Sequence, residues 1–498
     1  MKLKNKFLLL VCVAMLCSGL SSCKKWLDLK PADGIIAQNY WKTKEQINAS
    51  VIGCYASLLG DPTGADKPLA EVLFLWGELR ADMLAPSTST TAEELAVMNV
   101  NTVSSSSIVN WRPLYRTINY CNTVIDNAPA VLALDKTLTQ SALDAYVAEA
   151  KALRALMYFY LVRSFGDVPL KLKATSTDDE IVSLAKSPKD SVLAQIETDL
   201  NDAEPKILVT YGDNASDKGR LTRYAVNAIQ ADVYLWEEKY NDALTACNKV
   251  INSKVFGLIS PSTAWYTTLY RNGNSAESIF EFQFNAQELN SFYTIMYSSK
   301  QFIAANRVMD QVFTSDDINN LHDIRADGGS VRAADNLIYK YVGLNSTTLM
   351  GATDSYTHWF VYRYADILLM KAEALANLND GPDALALVNT IRTRANALAA
   401  TNENPTPTDI NAVSLYILDE RAREFMFEGK RWYDVLRYVK KNNYANIAYL
   451  QDLVSNTVPA NSVRTAQAKM LDHNSHYFPI YDYELETNPL LVQNPFYQ

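Results

Sequence analysis

Residues 419–437, DERAREFMFEGKRWYDVLR, decide how the rest of the chain is read. With the preceding Leu418, the apolar residues Ala422, Phe425 and Met426 recur at i, i+4, i+7 and i+8, the spacing of one helix face rather than one strand face. The helix is expected to reach about Phe427. Gly429, which has no Cβ, supplies the left-handed conformation that commonly ends a helix. A second amphipathic helix then resumes with Trp432, Val435 and Leu436 facing inward.

Charge is laid along the same stretch. Arg421 and Glu424 stand at i, i+3, Glu424 and Glu428 at i, i+4, and Arg431, Asp434 and Arg437 repeat the three-residue step, so opposite charges can pair along and between helices. Two readings compete: Glu424 and Glu428 as an acid/base couple, or as members of a lattice of ion pairs clamping two helices together. A general acid needs a raised pKa, whereas dense Arg/Glu pairing holds carboxylates ionised. The lattice is therefore preferred, and Arg421, Glu424, Glu428, Arg431, Trp432 and Asp434 are assigned to the scaffold.

Two helical hairpins lie upstream. Residues 225–238, a turn at 239–241 and residues 242–252 form one, with the Tyr and Ala of a tetratricopeptide-like unit around the turn. Residues 362–395 form the other, with Ala365, Leu368, Leu369, Ala372 and Ala376 on one face and a turn at Asn379-Asp380-Gly381-Pro382. A single hairpin buries no core, so the two are expected to stack. Between them the pattern changes: residues 278–284 alternate as a short strand, and residues 310–357 are loop-rich.

Nearer the amino end, helices are expected over 45–59, 69–80 and 143–165, and from Asn110 to a stop before Pro129. Residues 84–107, low in charge and crowded with Ser and Thr, read as a long surface loop of the kind that more often carries function than decoration.

The chain opens with Lys2, Lys4 and Lys6, an apolar run over 7–16, and Leu20-Ser21-Ser22-Cys23. That is a signal peptide's layout, too short to span a bilayer, and its last four residues resemble the lipobox of bacterial lipoproteins. Residues 1–22 are then a signal and Cys23 becomes the acylated first residue, anchoring the chain to a membrane surface, ahead of an extended tether over 24–33. Of six cysteines, Cys54, Cys121 and Cys247 remain beyond the anchor. An odd number without CxxC spacing is neither a disulfide framework nor a zinc site, and all three read as small core residues. Removal of residues 1–22 takes away three lysines and no acid, so the formal charge moves from −9 to −12. Such a balance opposes nucleic acid as a partner. The 29 tyrosines supply rigid apolar faces carrying a hydroxyl, suited to sugars.

The lipobox at Cys23, Glu149-Ala-Lys-Ala-Leu-Arg154 running to Phe165-Gly-Asp-Val-Pro169, Tyr362-Arg-Tyr-Ala-Asp-Ile-Leu-Leu-Met370, Glu420-Arg-Ala-Arg-Glu424 to Leu436-Arg437, and Phe478-Pro-Ile480 with Asn494-Pro495 resemble, in order, the landmarks of the SusD/RagB family of Bacteroidetes surface lipoproteins. The resemblance implies a mostly α fold: a tetratricopeptide-like hairpin scaffold with a loop-rich insertion containing short β segments. It implies an N-terminal helical region over 23–260 and a C-terminal region over 261–498, with the insertion at 283–357 and helices over 361–440. It further implies glycan binding, or peptide binding in one branch, without catalysis, at the outer membrane beside a SusC-like TonB-dependent transporter. None of the landmarks is a ligand site. In glycan-binding relatives the contacts come from aromatics on variable loops, which match residues 84–107 and 283–357 here. The first loop has neither Trp nor Tyr, which moves the expectation to Phe292, Tyr293, Tyr297 and Tyr356.

As an enzyme the chain offers little. His473-Asn-Ser-His476 lacks the HExxH helix, and there is no GxSxG elbow, P-loop or Gly-rich dinucleotide turn. A glycoside hydrolase needs only two carboxylates ~5–10 Å apart and stays as the alternative of another class. No metal or cofactor motif is present, and whether a structural Ca²⁺ assists is left open.

Overall fold

A helix with one apolar stripe buries it only against a neighbour, and the chain answers this by pairing its helices antiparallel. The computed structural model describes residues 40–61, 63–313, 322–397 and 404–498; the expected signal segment, Cys23 and the tether over 24–33 lie outside the described residues. From Thr43 onward the chain forms one unit. Its helices are α1 (Lys44–Leu59), α2 (Leu69–Glu78), α3 (Ala92–Met98), α4 (Arg112–Leu134), α5 (Gln140–Phe165), α6 (Lys189–Ala203), α7 (Asn214–Gly219), α8 (Arg223–Trp236), α9 (Tyr240–Asn252), α10 (Tyr364–Asn377), α11 (Gly381–Arg394), α12 (Ile410–Glu424), α13 (Arg431–Tyr444), α14 (Ile447–Thr457), α15 (Val463–Met470) and α16 (Asp482–Thr487). The fold is mostly helical, as expected.

The hairpins α8–α9 and α10–α11 stack on each other through α9 and α10, and α12 closes over the second of them. Ala365, Leu369, Ala372, Ala376, Val388, Ile391 and Ile417 form one core there. On the other side α1, α4, α5 and α6 pack in succession. From Ala148 to Phe165 every side chain of α5 except Lys151 is buried. None of the described helices is long and apolar enough to cross a membrane.

Three expectations about these elements are corrected. The helix expected to stop before Pro129 runs through it to Leu134. Proline removes one backbone hydrogen bond, but Val124, Ala128 and Val131 on the same face are fully buried, and that packing outweighs the lost bond. The strand β2 (Ser278–Phe282) does not alternate: all five of its side chains are buried, because it pairs antiparallel with β6 (Trp359–Arg363), which is buried throughout too. The stretch 84–107 is not structureless. It holds a strand, β1 (Leu84–Pro86), which pairs with β3 (Phe302–Ala304), and the helix α3, capped reciprocally by Thr91 and Glu94. A third small ribbon joins β4 (Val331–Arg332) to β5 (Leu337–Ile338).

The deciding stretch folds as helix, turn, helix, with α12 ending at Glu424 rather than at Phe427. Phe427 (φ 65°) and Gly429 (φ 69°) both take left-handed backbone in the turn. The turn sits against α2: a Cβ on Gly77 would lie 1.9 Å from the Gly429 carbonyl oxygen, and the Gly429 N–H donates to Glu78 Oε1 at 2.8 Å. Burial pushes the Glu78 carboxyl up to about 8, against the pull of the Gly429 N–H and of Lys340 and Arg431. Folded Glu78 keeps its proton to about pH 8, while in the unfolded chain it loses it near the ordinary 4.5. Between those values the folded state binds the extra proton, so the stability this group contributes is full below pH 4.5 and is lost as pH rises through 8. Glu78→Gln is expected to flatten that decline, read as the thermal midpoint against pH for both chains; parallel curves across the window would refute it.

Candidate functional site

Charged side chains converge at the centre of the fold. Arg363, at the end of β6, donates to Glu277 at 2.7 Å, to Glu424 at 2.5 Å and to Glu428 at 3.0 and 3.1 Å. Arg325 reaches Glu420 at 2.6 Å and Glu424 at 2.8 Å. Arg394 pairs with Glu277 at 2.9 Å and with Glu424, and Lys340 with Glu428 at 2.9 Å. Each of these side chains is buried. Around the deciding stretch Arg421 and Arg437 both meet Asp434 at 2.9 Å, and Arg431 holds Asp82 at 2.8 Å. Trp432 is fully buried beneath the Arg80 guanidinium, 4.6 Å from its ring centre.

The electrostatics follow from that pairing. Burial alone raises a carboxyl pKa; against it, Arg363, Lys340 and Lys430 bring Glu428 down to about 2. Burial likewise opposes Arg394, Arg363 and Arg325 at Glu424, and these three cations prevail, holding its carboxyl well below the usual range. Carboxylates kept ionised by fixed cations have no proton to give, so this cluster is a clamp between β6, α11, α12 and the turn. The cavity between α8, α10, α12 and α13 shows the same economy. Of its lining carboxylates, Glu373 is engaged by Arg437 at 2.6 Å and Asp434 by Arg421, while Glu238 is exposed to solvent. An open groove of about 340 Å³ lies between α1, α7 and β2; its carboxylate, Glu281, is bound to His358 and Ser278, each at 2.7 Å.

The four aromatics expected to meet a ligand have different fates. Phe292 is corrected to a core residue: it is 0% exposed and stacks on Tyr341 and Trp359 at 4.5 and 5.3 Å between ring centres. Tyr293 and Tyr297 lie on a π-helical turn (Tyr293–Ser298), a form that recurs at functional positions. Their rings touch, with centres 5.3 Å apart and planes 59° apart, and Tyr297 is 38% exposed. Tyr356 is half-buried and joins neither ring; the Arg271 guanidinium covers it at 4.1 Å. Its segment is held beside the tyrosine turn by the Tyr293 N–H, which donates to Ser355 Oγ at 3.1 Å, and by Ser355 Oγ, which donates to Asn290 Oδ1 at 2.7 Å.

The fold also joins the two loops singled out in the sequence. Ribbon β1–β3 places Ser87 and Thr90 against the chain just past Tyr297: Ser87 Oγ and Thr90 Oγ1 donate to the Gln301 carbonyl at 3.2 and 2.5 Å. Beyond it, Lys300 and Arg332 both bind Asp335, at 3.1 and 2.8 Å. The result is a surface with two tilted phenol rings, the Ser87 and Thr90 hydroxyls, and a charge cluster of two cations on one carboxylate. It can stack and hydrogen-bond. Sequence reading missed Arg271, Ser87 and Thr90. The Ser/Thr richness of 84–107 was the only signal for Ser87 and Thr90, whose pairing across more than two hundred residues leaves no local trace, and nothing local marked Arg271. Among the described residues no group of three or more His, Cys, Asp or Glu is placed to hold a metal ion.

Comparison with known proteins gives concordant matches. Residues 224–497 match the SusD family, and residues 25–235 match a family described as starch-binding and associating with the outer membrane. A SusD-like protein of Formosa agariphila is 27% identical over 490 residues, 88% of this chain and 92% of its own. A SusD-like protein of Bacteroides ovatus is 22% identical, covering 89% of this chain and 85% of its own. Among solved structures, a SusD superfamily protein of Bacteroides vulgatus superposes with a TM-score of 0.75 at 22% identity, covering 92% of this chain and 100% of that one. The NanU protein of Bacteroides fragilis gives 0.71 at 24%, covering 94% and 100%. At such identities the structural likeness speaks for the fold.

Proposed function

The chain belongs to the SusD/RagB family, and from that premise we propose that it is a lipid-anchored outer-membrane protein that binds a glycan without cleaving it and passes it to a SusC-like TonB-dependent transporter. The observation carrying the binding half is the Tyr293–Tyr297 pair, an exposed ring against a half-buried one where the two loops meet. Sugars present apolar faces and hydroxyls together, and tyrosine answers both. The non-catalytic half is supported by the engagement of Glu373 and Asp434 at one cavity and of Glu281 at the other. No cofactor is invoked.

The test is a panel of oligosaccharides offered to the purified protein. Saturable binding without products is expected, and Tyr293→Ala with Tyr297→Ala should weaken it tenfold or more, about 1.4 kcal/mol or above, with an unchanged circular dichroism spectrum. Release of shorter sugars would instead favour a hydrolase, and binding of peptides alone the family's other branch. Binding that survives loss of both tyrosines would reject this site while sparing the function.

The anchor is a separate proposal, motivated by Leu20-Ser-Ser-Cys23 and by the match to a family associating with the outer membrane. Cys23→Ala is expected to release the chain from washed membranes in cells lacking the transporter, measured by fractionation. Retention equal to the unaltered chain would refute it.

A further inference from the structure

Cys54 on α1 and Cys121 on α4 are separated by 67 positions, and nothing in their spacing relates them. Both are unbridged thiols, 1% and 0% exposed. Close by on the same two helices, Ser57 and Thr117 share a hydroxyl–hydroxyl hydrogen bond of 2.8 Å. Three residues back from Ser57 is Cys54, and four residues on from Thr117 is Cys121. These are steps of one turn in opposite directions, so an antiparallel pair sets the two thiols opposite each other. That register turns the Cys121 thiol toward that of Cys54, whose Sγ donates to the Ser50 carbonyl at 3.4 Å. Hydroxyls as short as those of Ser and Thr meet across a helix pair only where the backbones run close, and a close approach is also what a disulfide between Cα atoms ~4.4–6.8 Å apart requires.

We propose that Cys54 and Cys121 form a disulfide stapling α1 to α4 when the chain folds in the presence of a disulfide oxidant. With oxidised glutathione, the Cys54 thiolate attacks one glutathione sulfur, breaking its S–S bond, forming a mixed disulfide and releasing one glutathione thiolate. The Cys121 thiolate then attacks the Cys54 sulfur, forming the protein disulfide and releasing the second glutathione. Two protein thiols lose two electrons and two protons; one glutathione disulfide gains them. In the folded chain, burial pushes the Cys121 thiol well up and Cys54 adds to it, which withholds the thiolate that exchange requires. The reaction therefore belongs to the folding chain, before α1 docks. Cys247, on α9, serves as an internal control. The inference uses the helix register alone and stands apart from any ligand.

The full-length chain, refolded with oxidised glutathione, alkylated in denaturant and digested, is expected to yield a peptide linking Cys54 to Cys121, with Cys247 alkylated. The thermal midpoint should exceed that of the reduced sample by roughly 2–5 °C, since the cross-link restricts a long loop of the unfolded chain. Cys54→Ser and Cys121→Ser should each abolish the linked peptide, and Cys247→Ser should leave it. Should a serine variant fail to fold, the peptide map of the unaltered chain decides alone. Full alkylation of both cysteines after oxidation, or a link from either to another cysteine, overturns the proposal, as does a linked sample that melts lower.

Discussion

Replacing Glu424 by alanine is expected to cost about 3–5 kcal/mol of folding free energy, measured as a shift in the urea midpoint. Three guanidiniums, those of Arg325, Arg363 and Arg394, end on this one carboxylate. It is 1% exposed and the three arginines are buried around it. Water cannot replace the lost partner, so the variant leaves buried positive charge facing itself. Glu424→Gln keeps the shape and removes the charge, and it should recover little of the loss. By contrast Lys173→Ala, whose side chain is 84% exposed where it meets Asp126, should leave the midpoint in place, because solvent screens that pair. A loss below ~1 kcal/mol for Glu424→Ala would mean that Glu277, Glu420 and Glu428 take over its partners, and the clamp would not depend on any single member. Acid should act on the same cluster. Glu420 and Glu428 both sit at about 2 in the folded chain against an ordinary 4.5, so their contribution is complete above pH 4.5 and disappears as pH falls toward 2.

Gly77→Ala is expected to be as damaging by another route. A Cβ there would stand 1.9 Å from the Gly429 oxygen, 2.2 Å from its carbonyl carbon and 2.6 Å from its Cα. All three are backbone atoms, so no side chain can rotate away. The turn cannot retreat freely either, being held by the Glu78–Gly429 hydrogen bond and by the Lys430 and Arg431 ion pairs beside it. Overpacking typically costs about 1–3 kcal/mol and occasionally more; a clash with clamped backbone belongs at or above the top of that range, about 3 kcal/mol. Gly53→Ala is the matched control. Its added Cβ meets nothing within 4 Å, it lies inside α1, and alanine should stabilise that helix by about 0.5–1 kcal/mol. If the two substitutions move the midpoint equally, the close approach of α2 to the turn is not what the molecule depends on.

The difference between these two glycines shows where sequence reading stops. In the sequence both are a glycine inside an apolar helical pattern, and only the partner distinguishes them. Periodicity could place the helices because each burial stripe is written every three or four residues, and the hairpins 225–252 and 362–395 were legible for that reason. It misjudged the ends, as at Phe427, where a left-handed backbone that only the surrounding packing can hold replaces the last helical turn. It also failed at Pro129 and on β2, where tertiary burial overrides a local rule.

For the candidate site the balance is reversed. Residue type marked Tyr293, Tyr297, Tyr356 and Phe292 as equals, since an aromatic ring is as good in a core as on a surface. The β2–β6 ribbon and the stack of Tyr341 and Trp359 drew Phe292 inward, while the π-helical turn left Tyr297 facing out. By itself the sequence determined the helices, their stacking in hairpins and the family, because these rest on patterns repeated within a few residues. Which rings meet solvent, which loops adjoin and which cysteines face each other were decided by the tertiary structure alone, because those relations join residues far apart in the chain and exist only once the helices have packed.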